Sequence, residues 1–125
     1  MKLQLDGQHL RVRIDEDELG RLLAGQAVEA ATRFADAFAV HCIVELADQA
    51  QATLTGSAER WHIRIPAQAA KEHAARLPTR EGLRFELRGA SEDNTLVLLF
   101  DVDVRDSARR LKASRSGLKA GRPVA

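Results

Sequence analysis

The chain has no tyrosine, one tryptophan, one cysteine, one methionine and three prolines in 125 residues. Each scarcity removes a class of protein. A lone thiol, Cys42, closes no internal disulfide, which excludes a secreted disulfide scaffold and points to the cytosol. The longest unbroken apolar run, Leu96 to Phe100, is far too short to cross a bilayer as a helix. The opening, Met1-Lys2-Leu3-Gln4-Leu5-Asp6, lacks the apolar stretch of a signal peptide. Neither a G-x-x-x-x-G-K nor a G-x-G-x-x-G phosphate cradle occurs. The four histidines, His9, His41, His62 and His73, show none of the spacings of a metal site. With four Phe and one Trp as the only aromatics, the core must be Leu, Val, Ile and Ala.

What is present is alternation. Lys2 to Leu5 and Leu10 to Ile14 alternate polar with apolar residues, the period of a half-buried strand, around an Asp6-Gly7 turn. This predicts a hairpin with Leu3, Leu5, Leu10, Val12 and Ile14 inward and Arg11 and Arg13 outward. Asp15 and Glu18 have capping-box spacing, and Leu19, Leu22 and Leu23 form one apolar stripe of a short helix ending near Gly25. Val28 to Phe34 alternates again. Phe38 to Leu46 is continuously apolar enough to predict a central strand buried on both faces.

Asp48 to Gln51 marks the midpoint. Ala52 to Thr55 and Arg60 to Ile65 then read as strands, with Trp61, Ile63 and Ile65 inward. Pro66 suits the first position of a helix running from Ala67 to Leu77. Leu83 to Leu87 and Thr95 to Val104 are the last strands. A constant offset of 51 residues lays Val12-Arg13-Ile14 on Ile63-Arg64-Ile65 and Arg33-Phe34 on Arg84-Phe85. The predicted fold is α+β and mostly β. About eight short antiparallel strands would form a closed or half-open barrel from duplicated ββαββ halves, residues 1–47 and 52–104. Two short helices would cover its ends.

Charge divides the chain. Residues 1–104 hold 12 Lys and Arg against 17 Asp and Glu, and residues 105–125 hold seven against one. The tail, with Arg105, Arg109, Arg110, Lys112, Arg115, Lys119 and Arg122, reads as a disordered, solubilising end or an electrostatic arm for nucleic acid. Arg11, Arg13, Arg33, Arg64, Arg84 and Arg88 fall on predicted outward strand positions and are the candidate basic binding face.

No residue set points to catalysis. Cys42 and His41 are neighbours on a strand and must face opposite ways, so they form no nucleophile–base pair. Asp15, Glu16, Asp17 and Glu18 suit a helix start, and Asp101 and Asp103 read as a salt-bridged edge strand. No catalytic residue, metal or cofactor is expected.

The opening Met1-Lys2-Leu3-Gln4-Leu5-Asp6-Gly7, the strand Leu10-Arg11-Val12-Arg13-Ile14 and the later Trp61-His62-Ile63-Arg64-Ile65-Pro66 resemble a family of small bacterial proteins of unknown function. The resemblance covers most of residues 1–101 and implies a fold without an activity. Many members carry a cysteine after the last strand, where this chain has none. Residues 59–104 also resemble swapped-hairpin transcription factors of the AbrB and MazE type. There a strand ends in Ile-Pro, as at Ile65-Pro66, before a short helix, a Gly turn and two strands. That resemblance implies DNA contact by Arg60, Arg64, Arg84 and Arg88. The helix here, with His73 and Ala75, lacks the aliphatic stripe usual in that family.

The leading expectation is therefore a non-enzymatic cytosolic interaction domain of unknown partner, homodimerising through an open barrel edge. The alternative is a DNA-binding regulator using the strand arginines and the basic tail. No membrane association is expected.

Overall fold

The computed structural model describes residues 1–104. Alternation sets the strands: β1 (Lys2–Asp6), β2 (His9–Ile14), β3 (Val28–Phe34), β4 (Phe38–Ala47), β5 (Thr53–Gly56), β6 (Arg60–Pro66), β7 (Leu83–Leu87) and β8 (Leu96–Val102). Helix α1 (Glu16–Leu23) follows β2, helix α2 (Ala67–Ala75) follows β6, and a single 3-10 turn spans Glu92–Asn94. The class is α+β and mostly β, as the alternation predicted.

The strands form two four-stranded sheets, ordered β1-β2-β8-β7 and β3-β4-β6-β5. Each sheet keeps two open edges, so the hydrogen-bond ladder does not close into one barrel. A second correction concerns direction. The central pairs, β2 with β8 and β4 with β6, run parallel, and only the flanking hairpins are antiparallel. β8 is thus a central strand, where an edge strand was expected. The ladder β4 pairs with both β3 and β6, but its outer positions His41, Ile43 and Glu45 are not buried, so it is covered on one face.

One core joins the sheets. The inner positions Leu10, Val12 and Ile14 of β2 and Leu98 and Phe100 of β8 face Cys42 and Val44 of β4 and Ile63 and Ile65 of β6, all almost completely buried. Burying one such aliphatic or aromatic side chain contributes about 1.5–3 kcal/mol. The core is mostly Leu, Val and Ile, with Phe100 its largest fully buried side chain, as the shortage of aromatics requires.

The topology decides which end carries what. β2 and β6 run into the helices, and the parallel partners β8 and β4 point the same way. Both helices therefore sit at one end, whereas covering of both ends was expected. All four hairpin connections, between β1 and β2, β3 and β4, β5 and β6, and β7 and β8, lie at the other.

Local chemistry fixes the helices. Asp15 accepts from the Glu18 amide at 2.7 Å and the Asp15 amide donates to Glu18 Oε1 at 3.1 Å, closing the predicted capping box. Leu19 and Leu22 bury the stripe against the sheets. Pro66 sits one position before the helix, as the last residue of β6, and α2 stops at Ala75 rather than Leu77. Its buried residues are Ala70 and His73, which makes a thin, Ala-rich contact.

Candidate functional site

The six strand arginines are placed on two surfaces. Arg11, Arg13 and Arg84 belong to the outer face of the β1-β2-β8-β7 sheet, Arg88 falls one residue past the end of β7, and Arg33 and Arg64 belong to the outer face of the other sheet. The shared core lies between them. Acids are interleaved with these cations. Arg13 Nε donates to Asp101 at 3.0 Å, Arg11 lies 3.7 Å from the same carboxylate, and Arg64 Nε donates to Glu45 at 2.9 Å. Glu86 faces Arg84 at 3.1 Å and Arg88 at 3.5 Å. The outward placement matches the strand period, but the arginines form no single continuous positive face among the described residues. The tail cations Arg105, Arg109, Arg110, Lys112, Arg115, Lys119 and Arg122 lie outside the described residues.

The two central ladders carry matching charge clusters. In one sheet, Asp101 of β8 takes Arg13 and Arg11 from β2. In the other, Glu45 of β4 takes Arg64 and His62 from β6, each at 2.9 Å. Arg13 and Arg64 are 51 residues apart, Arg11 and His62 also 51, and Asp101 and Glu45 are 56 apart. Register also corrects the uniform offset. Val28 pairs with Val44 and Leu83 with Phe100, so the counterpart of Arg33 is Arg88, 55 residues on, and not Arg84. The Arg64 guanidinium holds the Glu45 carboxyl below its ordinary value, partial burial opposes it, and His62 adds to the lowering.

Cys42 is buried, and removal from water pushes its thiol up to about 11. His41 is exposed on the opposite face of β4. His73 is 2% exposed with Nδ1 lacking a hydrogen-bond partner. Burial lowers its basicity, with Arg76 in the same direction and Asp101 against it. Among the described residues no three His, Cys, Asp or Glu side chains are grouped to hold a metal ion. No described helix is long and apolar enough to cross a membrane.

The surface that sequence reasoning missed is the turn end. Of the five exposed large apolar side chains among the described residues, Leu5, Phe34, Phe38 and Leu54 lie in strands at or beside the hairpin connections. Leu5 was expected in the core. It keeps the inward phase of β1, in register with the buried Leu10, but on this edge strand it is 65% exposed. Phe34 and Phe38 are paired in register across the tip of the β3–β4 hairpin, with ring centroids 4.8 Å apart, and each is about half exposed. That tip projects past β6, whose first partner on β4 is His41. Nearby, Leu10, Leu54 and Trp61 line an apolar depression with the 55–58 turn, and Trp61 Nε1 donates to the Ala58 carbonyl at 2.7 Å. The connections themselves hold Asp36, Glu59, Glu92 and Asp93 against Arg88. Each apolar residue was visible as a turn neighbour in the sequence. Their assembly at one end required the parallel central pairs.

Residues 1–107 match the model of a family of unknown function (DUF7009). Searches of curated proteins and of solved structures find no match.

Proposed function

We propose that this chain, which belongs to the DUF7009 family of unknown function, is a non-enzymatic interaction domain that engages its partner through the turn end. The observation that carries this reading is the gathering of Leu5, Leu54 and the stacked Phe34–Phe38 pair at that end, with acidic connections around them. Half-exposed aromatic pairs are the side chains that dominate protein contacts when a partner covers them. The rim charge favours a partner with basic character. Homodimerisation is another form of the same reading, driven by the apolar cluster alone, since two acidic rims repel each other. The matching charge clusters of the two ladders support descent from a duplicated ββαββ unit.

The test compares the wild type with the double variant Phe34→Asp, Phe38→Asp by sedimentation velocity and by affinity capture from the native cytosol. Self-association or a captured protein that disappears in the variant, with an unchanged thermal midpoint, supports the reading. Identical behaviour of the two proteins overturns it.

A nucleic-acid role is the second reading. The strand arginines share their surfaces with Asp101, Glu45 and Glu86, so its support is the seven basic residues of 105–125. Phosphate contacts by that many cations give affinity that falls steeply with salt. Titration of random duplex DNA at low ionic strength decides it, and absence of binding there sinks the regulator.

A further inference from the structure

The helical end carries a second apolar surface, unrelated to the turn end. Leu19, Gly20 and Leu23 of α1 face Ala74, Leu77 and Pro78 across a groove closed at one side by Val104. Leu23 is 40% exposed there. A side chain built at Gly20 would meet no atom within 4 Å, so the groove has room above its floor.

Val104 is also the last described residue, and 21 residues follow it. The described residues therefore end in the lining of an apolar groove. Charges of both signs surround that point: Arg13 and Arg80 line the adjoining surface with Asp101 and Asp103, and beside it lies the acidic start of α1, whose Glu18 is already held by the Met1 ammonium. The Asp103 amide donates to the Ile14 carbonyl at 2.8 Å, which sets the exit against the start of α1. Asp15, Glu16, Asp17 and Glu18 stand in that first turn, and Glu16 itself lines the groove. Arg21 and Lys71 on the same two helices, and Arg76 just after α2, are not among the lining residues. The departing segment has the opposite character, with seven cations, one acid and the apolar residues Leu111 and Leu118.

We propose that the groove between α1 and α2 is the docking site of the chain's own 105–125 segment. Leu111 would occupy the space over Gly20, and the cations would lie along the α1 acids. Reach poses no obstacle. Leu111 lies seven positions after Val104, a contour of about 24 Å, and the α1 stripe from Glu16 to Leu23 is about 10 Å long. Docking would hold the basic segment on its own domain and make its release a condition for binding any other polyanion.

Amide chemical shifts of the full chain and of a chain ending at Val104 test this. The expected result is a difference confined to Leu19, Gly20, Leu23, Ala74 and Leu77, restored in saturable fashion by a synthetic 105–125 peptide. The restoring affinity should fall at least tenfold between low salt and 0.5 M salt, on the order expected for several screened ion pairs. In the full chain, Gly20→Trp fills the groove without touching the core and should produce the truncated chain's shifts elsewhere in the groove. Because Cys42 is buried, a spin label at Ser107→Cys reports the same contact independently, broadening groove amides at every protein concentration. Identical shifts in the two lengths, or peptide effects at the turn end instead, would overturn the proposal. Broadening that fades on dilution would assign the groove to a neighbouring chain and likewise reject self-docking. None of these readings depends on Phe34 or Phe38.

Discussion

His73 is the residue at which this chain departs furthest from a comfortable core. It occupies the place in α2 that Leu22 holds in α1, 51 residues earlier, and both are almost completely buried. A leucine there needs nothing. The imidazole leaves Nδ1 without a partner, and an unsatisfied buried polar atom costs about 1–3 kcal/mol. His73→Leu should therefore raise stability by about 1 kcal/mol, measured by urea unfolding. The pH dependence follows from linkage. The ordinary value is 6.5, and the folded value is lower, through burial first and Arg76 second, with Asp101 opposing. Between those two values the unfolded chain binds a proton that the folded chain refuses, so stability falls as pH drops through 6.5 and stops falling below the folded value. The wild type should lose more stability than His73→Leu on going from pH 7.5 to 5.5, and equal losses would refute the assignment. Glu45 acts in the same direction at lower pH. Its folded value lies below 4.5, so its contribution is full above that value and is lost as pH falls through the lowered one. Cys42 gives a separate check. With its thiol pushed up to about 11, a disulfide reagent at pH 8 should label it only on unfolding.

At the scale of elements, the hairpins differ in what their turns demand. Gly7 has φ 55° and open space around it, and Ala35 adopts φ 53° in the β3–β4 turn without being glycine. Gly56 has φ 110°, and a Cβ there would run into the Arg60 carbonyl, which accepts from the Ser57 amide at 2.9 Å to close the β5–β6 turn. Gly7→Ala should cost about 1 kcal/mol, the ordinary penalty of a left-handed alanine. Gly56→Ala should cost at least about twice that and shift Trp61 fluorescence, because the indole hangs on the same turn through Ala58. Similar melting temperatures for the two variants would contradict this. These turns show what the sequence exposes to inspection. Local signals were readable: the alternation in β2, β6 and β7, the Asp15–Glu18 capping box, the inward Trp61, Ile63 and Ile65. Features created by a distant partner were not. Nothing in Leu96 to Val102 states that it lies parallel to β2. Without that pairing Leu5 looks like core, Asp101 looks like an edge residue, and six alternating arginines look like one face. The turn-end surface and the α1–α2 groove were invisible for the same reason, since each is made by segments about 50 residues apart.

The whole molecule depends on the joining of its two halves. Residues before Asp48 supply the hairpins β1–β2 and β3–β4, and those after Gln51 supply β5–β6 and β7–β8. Each sheet takes one hairpin from each half, joined by a parallel ladder of six register pairs in one sheet and seven in the other. No sheet of more than two strands can form from either half alone, and an isolated two-stranded hairpin is marginal in water. A half alone also leaves part of the shared core uncovered, since Leu10, Val12 and Val44 of one half pack in the same cluster as Ile63 and Phe100 of the other. Cutting the chain in the polar 48–51 connection should therefore yield fragments 1–50 and 51–104 that are each unfolded by circular dichroism. Mixed at tens of micromolar they should assemble one to one, regain the near-ultraviolet signal of Trp61, and melt cooperatively at a temperature that rises with concentration. A monomeric fragment with its own cooperative transition would show that a half is a domain, and the shared core could not then be the source of stability. Connection order points the other way. The only links within a half that join the two sheets are α1 and α2 with their short flanking loops, and the thin Ala70–His73 face of α2 is too small to hold two hairpins in place without the strands of the opposite half.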